Sequence, residues 1–409
     1  MNKVKIAILG FGQRGIVFAN EAKKFPDEIE LVAVCEIDKQ KYNLIEKEYN
    51  VSHENIYSDF DLMLKKGKLA DILIISTMDK DHYEQTMKAL DAGYDILLEK
   101  PIATTFDQVY KIKEKANKLN RKIAVAHVLR YTPFYQEIKR IVSSGVVGDV
   151  VTLSQNENIG YEHFAHSYVR GNWRNSNDTG PIILTKSSHD LDIIRYIVNK
   201  RVSKLTSFGN LMHFKKENKP TNLDPKDDIY NPEKFYTNNP EWMRFFTMET
   251  DVKKVLSNPN LNFAKSVYEL DNNVADHQVV NLLFENGATA NFKLTAFSHK
   301  TYRTIQICGT KGEIVGELEE NKINLYIYGK EPVIIDLSTT HDDFSYHQGG
   351  DKRLLYDFVL AVKENRSDFH TNINNSVESH LLAFSAEESR QKDGKVIDIK
   401  SKWNLLNEK

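Results

Sequence analysis

Cysteine is scarce in this chain, which has only Cys35 and Cys308 in 409 residues. Both lie in apolar, strand-like segments, a setting typical of reduced, buried thiols. Because no Cys-x-x-Cys pair or Cys/His cluster marks a zinc site, we expect no bound metal. Two cysteines of this kind also fit a reducing compartment, and we expect the protein to be cytoplasmic.

The chain also lacks long apolar runs and an excess of charge of one sign. No stretch approaches the ~20 apolar residues of a membrane-spanning helix, and a strand-like segment that starts at residue 3 leaves no room for a signal peptide. Lys and Arg number 55 and Asp and Glu number 57, so the formal net charge is −2. We therefore expect neither a membrane nor a nucleic acid as partner. Hydrophobic residues at 41% and charged residues at 27% indicate an ordinary globular protein, and 409 residues favour two domains.

The arrangement of apolar segments predicts a different kind of sheet in each domain. In residues 1–127, short apolar segments alternate with amphipathic helical ones, which predicts a parallel sheet covered on both faces. In residues 128–409, apolar runs joined by short turns such as Glu285-Asn286-Gly287 predict a largely antiparallel sheet in an α+β domain. Residues 215–262, rich in Pro, Asn, Asp and Lys, are typical of a loop-rich insertion, with a helix expected near 240–256.

A glycine-rich motif follows the first strand and opens the first helix: Gly10-Phe11-Gly12-Gln13-Arg14-Gly15. In this context the motif predicts a dinucleotide-binding turn. Gly10 permits the tight turn, Gly12 lets the backbone approach a pyrophosphate, and Gly15 lets the helix pack close to the strand. The positive end of the helix then faces the phosphates. The alternative is a glycine-rich turn without a ligand.

Glu36 ends the second strand, 21 residues after Gly15. A carboxylate at this point accepts hydrogen bonds from the adenosine ribose and repels a 2′-phosphate, so the sequence favours NAD over NADP. Asp38 is able to share this role.

Polar residues also end the later strands of the predicted parallel sheet, at the edge where ligands of open α/β sheets bind. Ser76 and Thr77 end one strand, and His82 on the following helix either reaches the cofactor or is structural. The next strand ends in Glu99-Lys100-Pro101. Lysine is costly to bury, so Lys100 marks either the exit of the strand from the core or a site that uses its proton.

Together these motifs resemble the glucose–fructose oxidoreductase / inositol dehydrogenase / rhizopine-catabolism (Gfo/Idh/MocA) family. The resemblance rests on the glycine motif paired with Glu99-Lys100-Pro101, and it continues over residues 127–151, 168–175, 180–198, 276–297 and 305–318. It implies an N-terminal Rossmann domain and a C-terminal α+β domain with a large, mostly antiparallel open sheet. In relatives the exposed face of that sheet makes homodimers or homotetramers. The family mostly oxidises or reduces a hydroxyl of a sugar, cyclitol or related polyol with a nicotinamide cofactor.

The resemblance also implies roles for particular residues. Lys100 matches the family's lysine, which hydrogen-bonds the reacting oxygen and stabilises negative charge there, and Pro101 is expected to follow a cis peptide bond. His189 matches the active-site histidine, and we expect it to act as acid/base. Many relatives carry Asp four residues before this histidine, whereas this chain has Thr185 there and Lys186 one residue later. We expect Lys186 to shape the site or to bind substrate, and which group takes the proton stays open.

Seven further residues are implied in binding. Cofactor contacts are expected from Glu99, Arg130, Trp173 and Arg174, and substrate contacts from Tyr161, His166 and His347. Arg130 has a structural alternative as a brace, His347 as a loop residue, and His163 with His166 as part of a metal site that no acid or cysteine completes. Ser187 and Asp190 are typical of a helix-capping box.

Three functions are compatible with these residues. The preferred one is an NAD-dependent dehydrogenase of a sugar or polyol. The second is a glycosidase that oxidises a hydroxyl transiently, eliminates the aglycone, adds water and reduces the product again. The third is a non-catalytic sensor of NAD or another ligand, against which the presence of Lys100 and His189 argues, because a sensor needs neither.

Overall fold

The computed structural model describes residues 3–222, 224, 227–243, 251–339 and 345–407. The chain divides into two compact units, one formed by Met1–Thr132 with Asp343–His380, the other by Pro133–Asp342 with Leu381–Lys409. This division differs from a single boundary after residue 127, because residues 128–132 and part of the C-terminal segment belong to the first unit. No local sequence pattern predicts that a C-terminal helix packs onto the first unit, since an amphipathic helix fits many apolar surfaces.

The first unit is built on a parallel sheet. Its elements before residue 133 are β1 (Val4–Leu9), α1 (Gln13–Ala22), β2 (Ile29–Cys35), α2 (Tyr42–Tyr49), β3 (Ile56–Tyr57), α3 (Phe60–Leu64), β4 (Ile72–Ile75), α4 (His82–Asp91), β5 (Asp95–Leu98), α5 (Phe106–Lys118) and β6 (Ile123–Val125). The strand order is β3-β2-β1-β4-β5-β6, with every pair parallel. This confirms the predicted Rossmann sheet, in which β4, β5 and β6 are fully buried, as strands covered on both faces should be. The two-residue strand β3 was not predicted.

The second unit is built on a mixed sheet of nine described strands. Its elements are α6 (Pro133–Ser143), β7 (Val150–Gly160), α7 (Tyr161–Phe164), α8 (Ile182–Thr185), α9 (Ser188–Val198), β8 (Val202–Asn210), α10 (Pro232–Asn238), α11 (Val252–Ser257), β9 (His277–Phe284), β10 (Thr289–Ser298), β11 (Tyr302–Gly309), β12 (Gly312–Glu317), β13 (Lys322–Ile327), β14 (Val333–Asp336) and, from the tail, β15 (Ile397–Asp398). The order is β14-β13-β12-β11-β7-β10-β9-β8-β15. Strands β7 and β10 run parallel, and the other pairs of the described sheet run antiparallel. The predicted α+β domain with a large, mostly antiparallel sheet is confirmed.

Alternation along the strands explains why this sheet has one covered and one exposed face. In β9 and β10 buried residues alternate with exposed ones, which is typical of an antiparallel sheet with one face on the core. Helix α9 packs against β7 and β10 on the covered face. The predicted turn at Glu285-Asn286-Gly287 joins β9 to β10, and Gly287 has the left-handed φ of +87° that a tight hairpin needs.

The C-terminal segment contains three helices, α12 (Ser345–Lys363), α13 (Ile373–Gln391) and α14 (Ile399–Asn407). Helix α12 packs against α1, and its residues Leu354 and Phe358 belong to the same buried core as Phe18 and Tyr131. In the sequence, helical patterns over residues 351–365 and 376–391 predict two tail helices, which correspond to α12 and α13, whereas α14 and β15 were not predicted.

The insertion at 215–262 has its own small core. Phe235 and Tyr236 of α10 pack with Met243, Val255 and Phe263. The helix expected near 240–256 is present over α11, while residues 244–250 of that prediction lie outside the described residues.

Two other expectations concern the burial of the two cysteines and the absence of membrane-spanning helices. Cys35 is a buried free thiol as predicted, but Cys308 is half-buried and not fully buried, because it alternates with the buried residues Ile305 and Ile307 of β11 and lies on the opposite face of the sheet. No helix in the part of the chain that the structure describes is long and apolar enough to cross a bilayer.

Candidate functional site

The turn between β1 and α1 has the geometry that its glycines predicted. Gly10 has φ +87°, and a Cβ atom built on it would lie 2.8 Å from the carbonyl oxygen of Ser76. A Cβ on Gly15 would lie 2.2 Å from the carbonyl oxygen of Gly10, so only glycine lets the helix approach the turn. A Cβ on Gly12 would meet no atom within 4 Å in the described structure. The space beside Gly12 is therefore open to a ligand, while the other two glycines serve the turn itself.

The start of helix α1 supplies donors next to this space. Gly12 is its N-cap residue, the exposed Gln13 its first residue, and the first N–H groups of a helix have no partner within the helix. Those groups and the helix dipole favour an anion, such as a pyrophosphate. The side chain of Phe11, by contrast, is buried against Tyr49, so a cofactor contact from Phe11 is restricted to its backbone.

Glu36 lies beside the same turn. Its carboxylate accepts hydrogen bonds from the backbone N–H groups of Phe11 at 2.8 Å and Asp38 at 2.9 Å, and Lys41 Nζ is 3.4 Å away. A carboxylate has about four acceptor positions, so this one is oriented by the protein and keeps capacity for ribose hydroxyls. The next residue, Ile37, is 83% exposed and was missed by the sequence analysis. The sequence signal that could have identified Ile37 is an aliphatic residue directly after the acidic end of a strand.

The ends of β4 and β5 are joined by hydrogen bonds to the glycine turn and to one another. The Ser76 hydroxyl donates to the carbonyl oxygen of Gly10 at 2.8 Å, and the Thr77 hydroxyl to Gln85 at 2.5 Å. His82 is fully buried. Its Nδ1 donates to the carbonyl oxygen of Pro101 at 2.7 Å, and its Nε2 lies 3.2 Å from the carbonyl oxygen of Thr77. These contacts join the ends of the two strands, and the predicted cofactor contact of His82 stays a prediction.

Lys100 lies at the carboxyl end of β5, half-buried, before a cis peptide bond to Pro101 as expected. Its backbone N–H donates to Glu99 Oε2 at 3.1 Å, while Glu99 Oε1 accepts from Arg14 Nε at 2.6 Å. Glu99 thus connects the lysine to the glycine turn directly. In this arrangement Arg14 and Glu99 bind one another, which orients both beside the dinucleotide turn.

A second histidine supports the loop after Lys100. The backbone N–H of Ile102 donates to Nε2 of His380 at 2.9 Å, and Nδ1 of His380 lies 3.1 Å from the carbonyl oxygen of Ser376. His380 therefore carries its proton on Nδ1 and accepts at Nε2. The sequence analysis missed this residue, because 278 positions separate it from Ile102 and no local pattern connects them.

The tail also brings Asp351 and His347 to the first unit. Asp351 forms an ion pair with Arg14 and accepts a hydrogen bond from His347 Nδ1 at 2.7 Å. Burial alone would raise the pKa of Asp351, but the attraction of Arg14 and His347 outweighs it and holds that pKa well below its usual range. His347 thus contacts a carboxylate of α12 that pairs with Arg14 of the glycine turn, and its predicted substrate contact stays a prediction.

Arg130 binds the tail segment, and its predicted cofactor contact stays a prediction. Its Nη1 donates to the carbonyl oxygen of His370 at 2.8 Å and its Nη2 to that of Asn375 at 3.3 Å. Buried and bound to two carbonyl groups of the tail, Arg130 holds residues 370–375 in the first unit.

In the second unit, Lys186 and His189 lie at the start of α9. Lys186 is the C-cap residue after α8, and α9 begins at Ser188, so Lys186 and His189 do not share one continuous helix. The predicted capping box is wrong: the Ser187 side chain makes no cap hydrogen bond, and the Asp190 carboxylate accepts from Arg303 and Gln155.

Lys186 and Asp190, at the start of α9, form ion pairs with two charged side chains of the sheet, Glu157 and Arg303. Glu157 on β7 is fully buried and forms an ion pair with Arg303, its cross-strand neighbour on β11. Its Oε1 lies 3.3 Å from Lys186 Nζ, and Arg303 Nε donates to Asp190 Oδ1 at 3.0 Å. Burial raises the pKa of Asp190, although Arg303 opposes the shift. Glu157 and Arg303 were not predicted, since their pairing depends on strand register.

Tyr161 and His166 follow the carboxyl end of β7. Tyr161 is half-buried with its ring 6.0 Å from that of Tyr230. His166 is only 2% exposed, donates or accepts through Nδ1 at 2.8 Å from the Tyr236 hydroxyl, and stacks on Phe263. Burial, with a smaller contribution from Arg170, lowers the pKa of His166 to about 3. His166 therefore packs in the core of the insertion, and its predicted substrate contact stays a prediction.

Arg174 is held at the surface of the second unit. Its Nε donates to Asp271 Oδ1 at 2.7 Å, and this bond lowers the pKa of Asp271. Trp173 beside it is half-buried. Their predicted cofactor contacts stay predictions. Among the described residues no group of three His, Cys, Asp or Glu side chains is arranged to hold a metal ion.

Comparison with known families identifies two matching regions. The description "Oxidoreductase family, NAD-binding Rossmann fold" (GFO_IDH_MocA) matches residues 4–127, and the GFO/IDH/MocA C-terminal domain matches residues 135–315. The regions together cover more than half of the chain.

Two curated relatives show how far the sequence similarity extends. Inositol 2-dehydrogenase/D-chiro-inositol 3-dehydrogenase of Lactiplantibacillus plantarum is 23% identical over 50% of this chain and 55% of its own length. D-glucoside 3-dehydrogenase of Escherichia coli is 28% identical over 36% of this chain and 41% of its own. The chain thus spans about half the length of the curated relatives it matches.

Solved structures extend the similarity in fold to nearly the whole chain. A levoglucosan dehydrogenase in complex with NADH and levoglucosan has a TM-score of 0.75 at 17% identity, covering 97% of this chain and 99% of that one. An inositol dehydrogenase homologue from Azotobacter vinelandii, complexed with NADH and myo-inositol, has a TM-score of 0.69 at 15% identity, covering 97% and 98%.

Proposed function

The chain belongs to the Gfo/Idh/MocA oxidoreductase family and has its NAD-binding Rossmann domain, and we propose that it is an NAD-dependent dehydrogenase of a sugar, cyclitol or related polyol. One observation carries the proposal. The carboxylate of Glu99 binds Arg14 of the dinucleotide turn and the backbone N–H of Lys100. A lysine at the carboxyl edge of the sheet is thereby tied to the turn that receives the cofactor.

The named activities of relatives support the substrate class. The relatives from L. plantarum and E. coli act on inositols and on a D-glucoside by their names. The fold is shared with structures that contain NADH together with myo-inositol or levoglucosan. All of these are rings bearing secondary hydroxyl groups, so we propose a ring of this kind as the substrate.

The cofactor site fits NAD on the evidence of the turn itself. Gly12 leaves open space beside the first N–H groups of α1, and we expect Glu36, whose carboxylate accepts from the backbone of Phe11, to bind the ribose. When bound, the nicotinamide exchanges a hydride with the carbon that bears the reacting hydroxyl. The exposed Ile37 would cover the adenine ring, since burying its side chain against an aromatic face removes both from water.

We assign roles to three side chains on this basis. Lys100 donates a hydrogen bond to the reacting oxygen and stabilises the negative charge that develops on it. His189 takes the hydroxyl proton during oxidation and returns it during reduction. Lys186 binds a substrate oxygen as a cation, since it contacts the carboxylate of Glu157.

The exposed face of the large sheet supports a homodimer or homotetramer. Phe208 of β8 and Val279 and Leu283 of β9 are apolar and at least a third exposed on this face. Light scattering coupled to size-exclusion chromatography tests this part of the proposal, and a monomer at micromolar concentration would contradict it.

The function is tested by a substrate screen. Purified protein is first examined by native mass spectrometry for bound NAD and then assayed at 340 nm with sugars, inositols and glycosides. We expect net NADH formation with at least one polyol, abolished in Lys100→Met although NAD binding is retained. Release of an aglycone without net NADH would favour the glycosidase, and NAD binding without turnover of any compound would favour the sensor.

A further inference from the structure

We propose that Glu157 is a positioning residue that holds the ammonium group of Lys186 in place to recognise a substrate hydroxyl other than the one oxidised. The proposal rests on the dehydrogenase function above. Glu157 lies on strand β7 of the large sheet, whereas Lys186 lies between helices α8 and α9.

The contact between the two side chains is direct. Lys186 Nζ lies 3.3 Å from Glu157 Oε1, the lysine side chain is 14% exposed, and the glutamate side chain is fully buried. An ammonium group has three N–H donors. The contact with Glu157 has the distance of an ion pair and not the geometry of a hydrogen bond, so the N–H groups of Lys186 can be directed at oxygen atoms of a ligand that reaches the exposed part of the lysine.

Glu157 is itself immobilised by its surroundings. It lies opposite Arg303 in the register of β7 and β11, and the guanidinium forms an ion pair with its other carboxylate oxygen. The guanidinium of Arg303 is held in turn by Asp190 on α9 through Nε, whereas Glu319 contacts only the backbone N–H of Arg303, at 2.7 Å, and does not fix the guanidinium. A carboxylate bound through a planar guanidinium has little freedom to rotate, so it presents a fixed anion to Lys186.

A Lys186 ammonium group that is already fixed should bind substrate at a lower entropic cost than a mobile one. A lysine side chain has several rotatable bonds and loses considerable entropy when it is ordered. The protein orders Lys186 during folding by means of Glu157, so this cost is not met again when substrate binds. Glu157 should therefore affect the affinity for the substrate more than the hydride-transfer step.

The kinetic test uses Glu157→Gln with Glu319→Gln as matched control, because Glu319 belongs to the same group of charges but contacts the backbone of Arg303 and not Lys186. We expect Glu157→Gln to raise KM for the polyol roughly tenfold to a hundredfold, the range for loss of a hydrogen bond to a charged group. Its kcat should change less than threefold, and the Kd for NAD and all parameters of Glu319→Gln should stay near wild type.

A double-mutant cycle separates positioning from general support of the fold. Lys186→Met should raise KM as much as Glu157→Gln, and the double variant should be no worse than either. Fully additive effects, or a Glu157→Gln enzyme with wild-type KM, would overturn the proposal. If Glu157→Gln does not fold, Glu157→Gln/Arg303→Gln replaces it, since this pair removes a buried carboxylate together with its guanidinium.

A readout without turnover keeps this proposal distinguishable from the proposed function. Competitive acetylation of the full-length protein, followed by peptide mass spectrometry, gives the reaction rate of Lys186 relative to the exposed Lys204. We expect Glu157→Gln to increase this ratio at least fivefold, and Glu319→Gln to leave it unchanged. An unchanged ratio in Glu157→Gln refutes the contact even in an active enzyme, whereas an increased ratio in a protein without dehydrogenase activity refutes only the function.

Discussion

Alanine substitutions at Gly12 and Gly15 should separate cofactor binding from folding. Both glycines belong to one turn, but their surroundings are opposite. A Cβ atom at position 15 would lie 2.2 Å from the backbone oxygen of Gly10, whereas one at position 12 would meet nothing within 4 Å of the described structure. Gly12 also has φ −81°, which an alanine adopts without strain.

The expected magnitudes follow from these contacts. Gly15→Ala forces the helix and turn apart, and overpacking of this kind costs roughly 1–3 kcal/mol, or about 2–12 °C in Tm for a unit of this size. Gly12→Ala should leave Tm unchanged or raise it slightly, since a compatible Gly-to-Ala change stabilises by about 0.4–1 kcal/mol. A methyl group at position 12 occupies the space of the pyrophosphate, so the affinity for NAD should fall at least ~10-fold, which corresponds to about 1.4 kcal/mol.

The assays are differential scanning fluorimetry without ligand and isothermal titration calorimetry with NAD. The two variants serve as each other's control, because each adds one methyl group to the same turn. If Gly12→Ala bound NAD as the wild type does, the ligand would not approach the backbone at this point. If Gly15→Ala kept the wild-type Tm, the close contact between helix and turn would not be required.

Three further predictions concern single side chains. Glu36→Gln should bring the Kd values for NAD and NADP closer together by roughly tenfold, because a 2′-phosphate no longer meets a carboxylate. The control is Glu30→Gln, an exposed position on the same strand, and an unchanged ratio in Glu36→Gln would show that Glu36 does not select the cofactor. His166→Phe should flatten the dependence of Tm on pH. Burial lowers the pKa of His166 from its ordinary 6.5 to about 3, so as the pH falls the unfolded chain binds a proton before the folded chain does. The wild type therefore loses stability as the pH falls from 6.5 towards 3, and the variant should not show this loss. Equal slopes in the two proteins over pH 4.5–6.5 would contradict this. His380→Ala should lower kcat by roughly tenfold while NAD binding persists. The backbone N–H of Ile102, two residues after Lys100, loses its acceptor on His380, so Lys100 is held less firmly. An unaffected kcat would show that the loop after Lys100 holds its position without this bond.

Local patterns were sufficient for the cofactor turn and for the class of each sheet. The roles of Gly10 and Gly15 follow from close contacts within a short stretch of chain, and the motif identified both. The buried strands β4 and β5 and the alternating strands β9 and β10 were recognised because their periodicity reports which faces are covered. The capping box at Ser187 was wrong although its spacing was correct, and the Asp190 carboxylate accepts from Arg303 and Gln155.

The sequence by itself determined the dinucleotide turn, the acidic end of β2 and the lysine at the end of β5, because each depends on neighbouring residues and on the universal geometry of a strand followed by a helix. Only the tertiary structure decided what orients those groups. Asp351 and His380 reach the first unit from the tail, and Glu157 meets Arg303 through strand register. Such pairs are selected by burial, where an unpaired charge or polar group is costly, and burial is known only once the chain has folded.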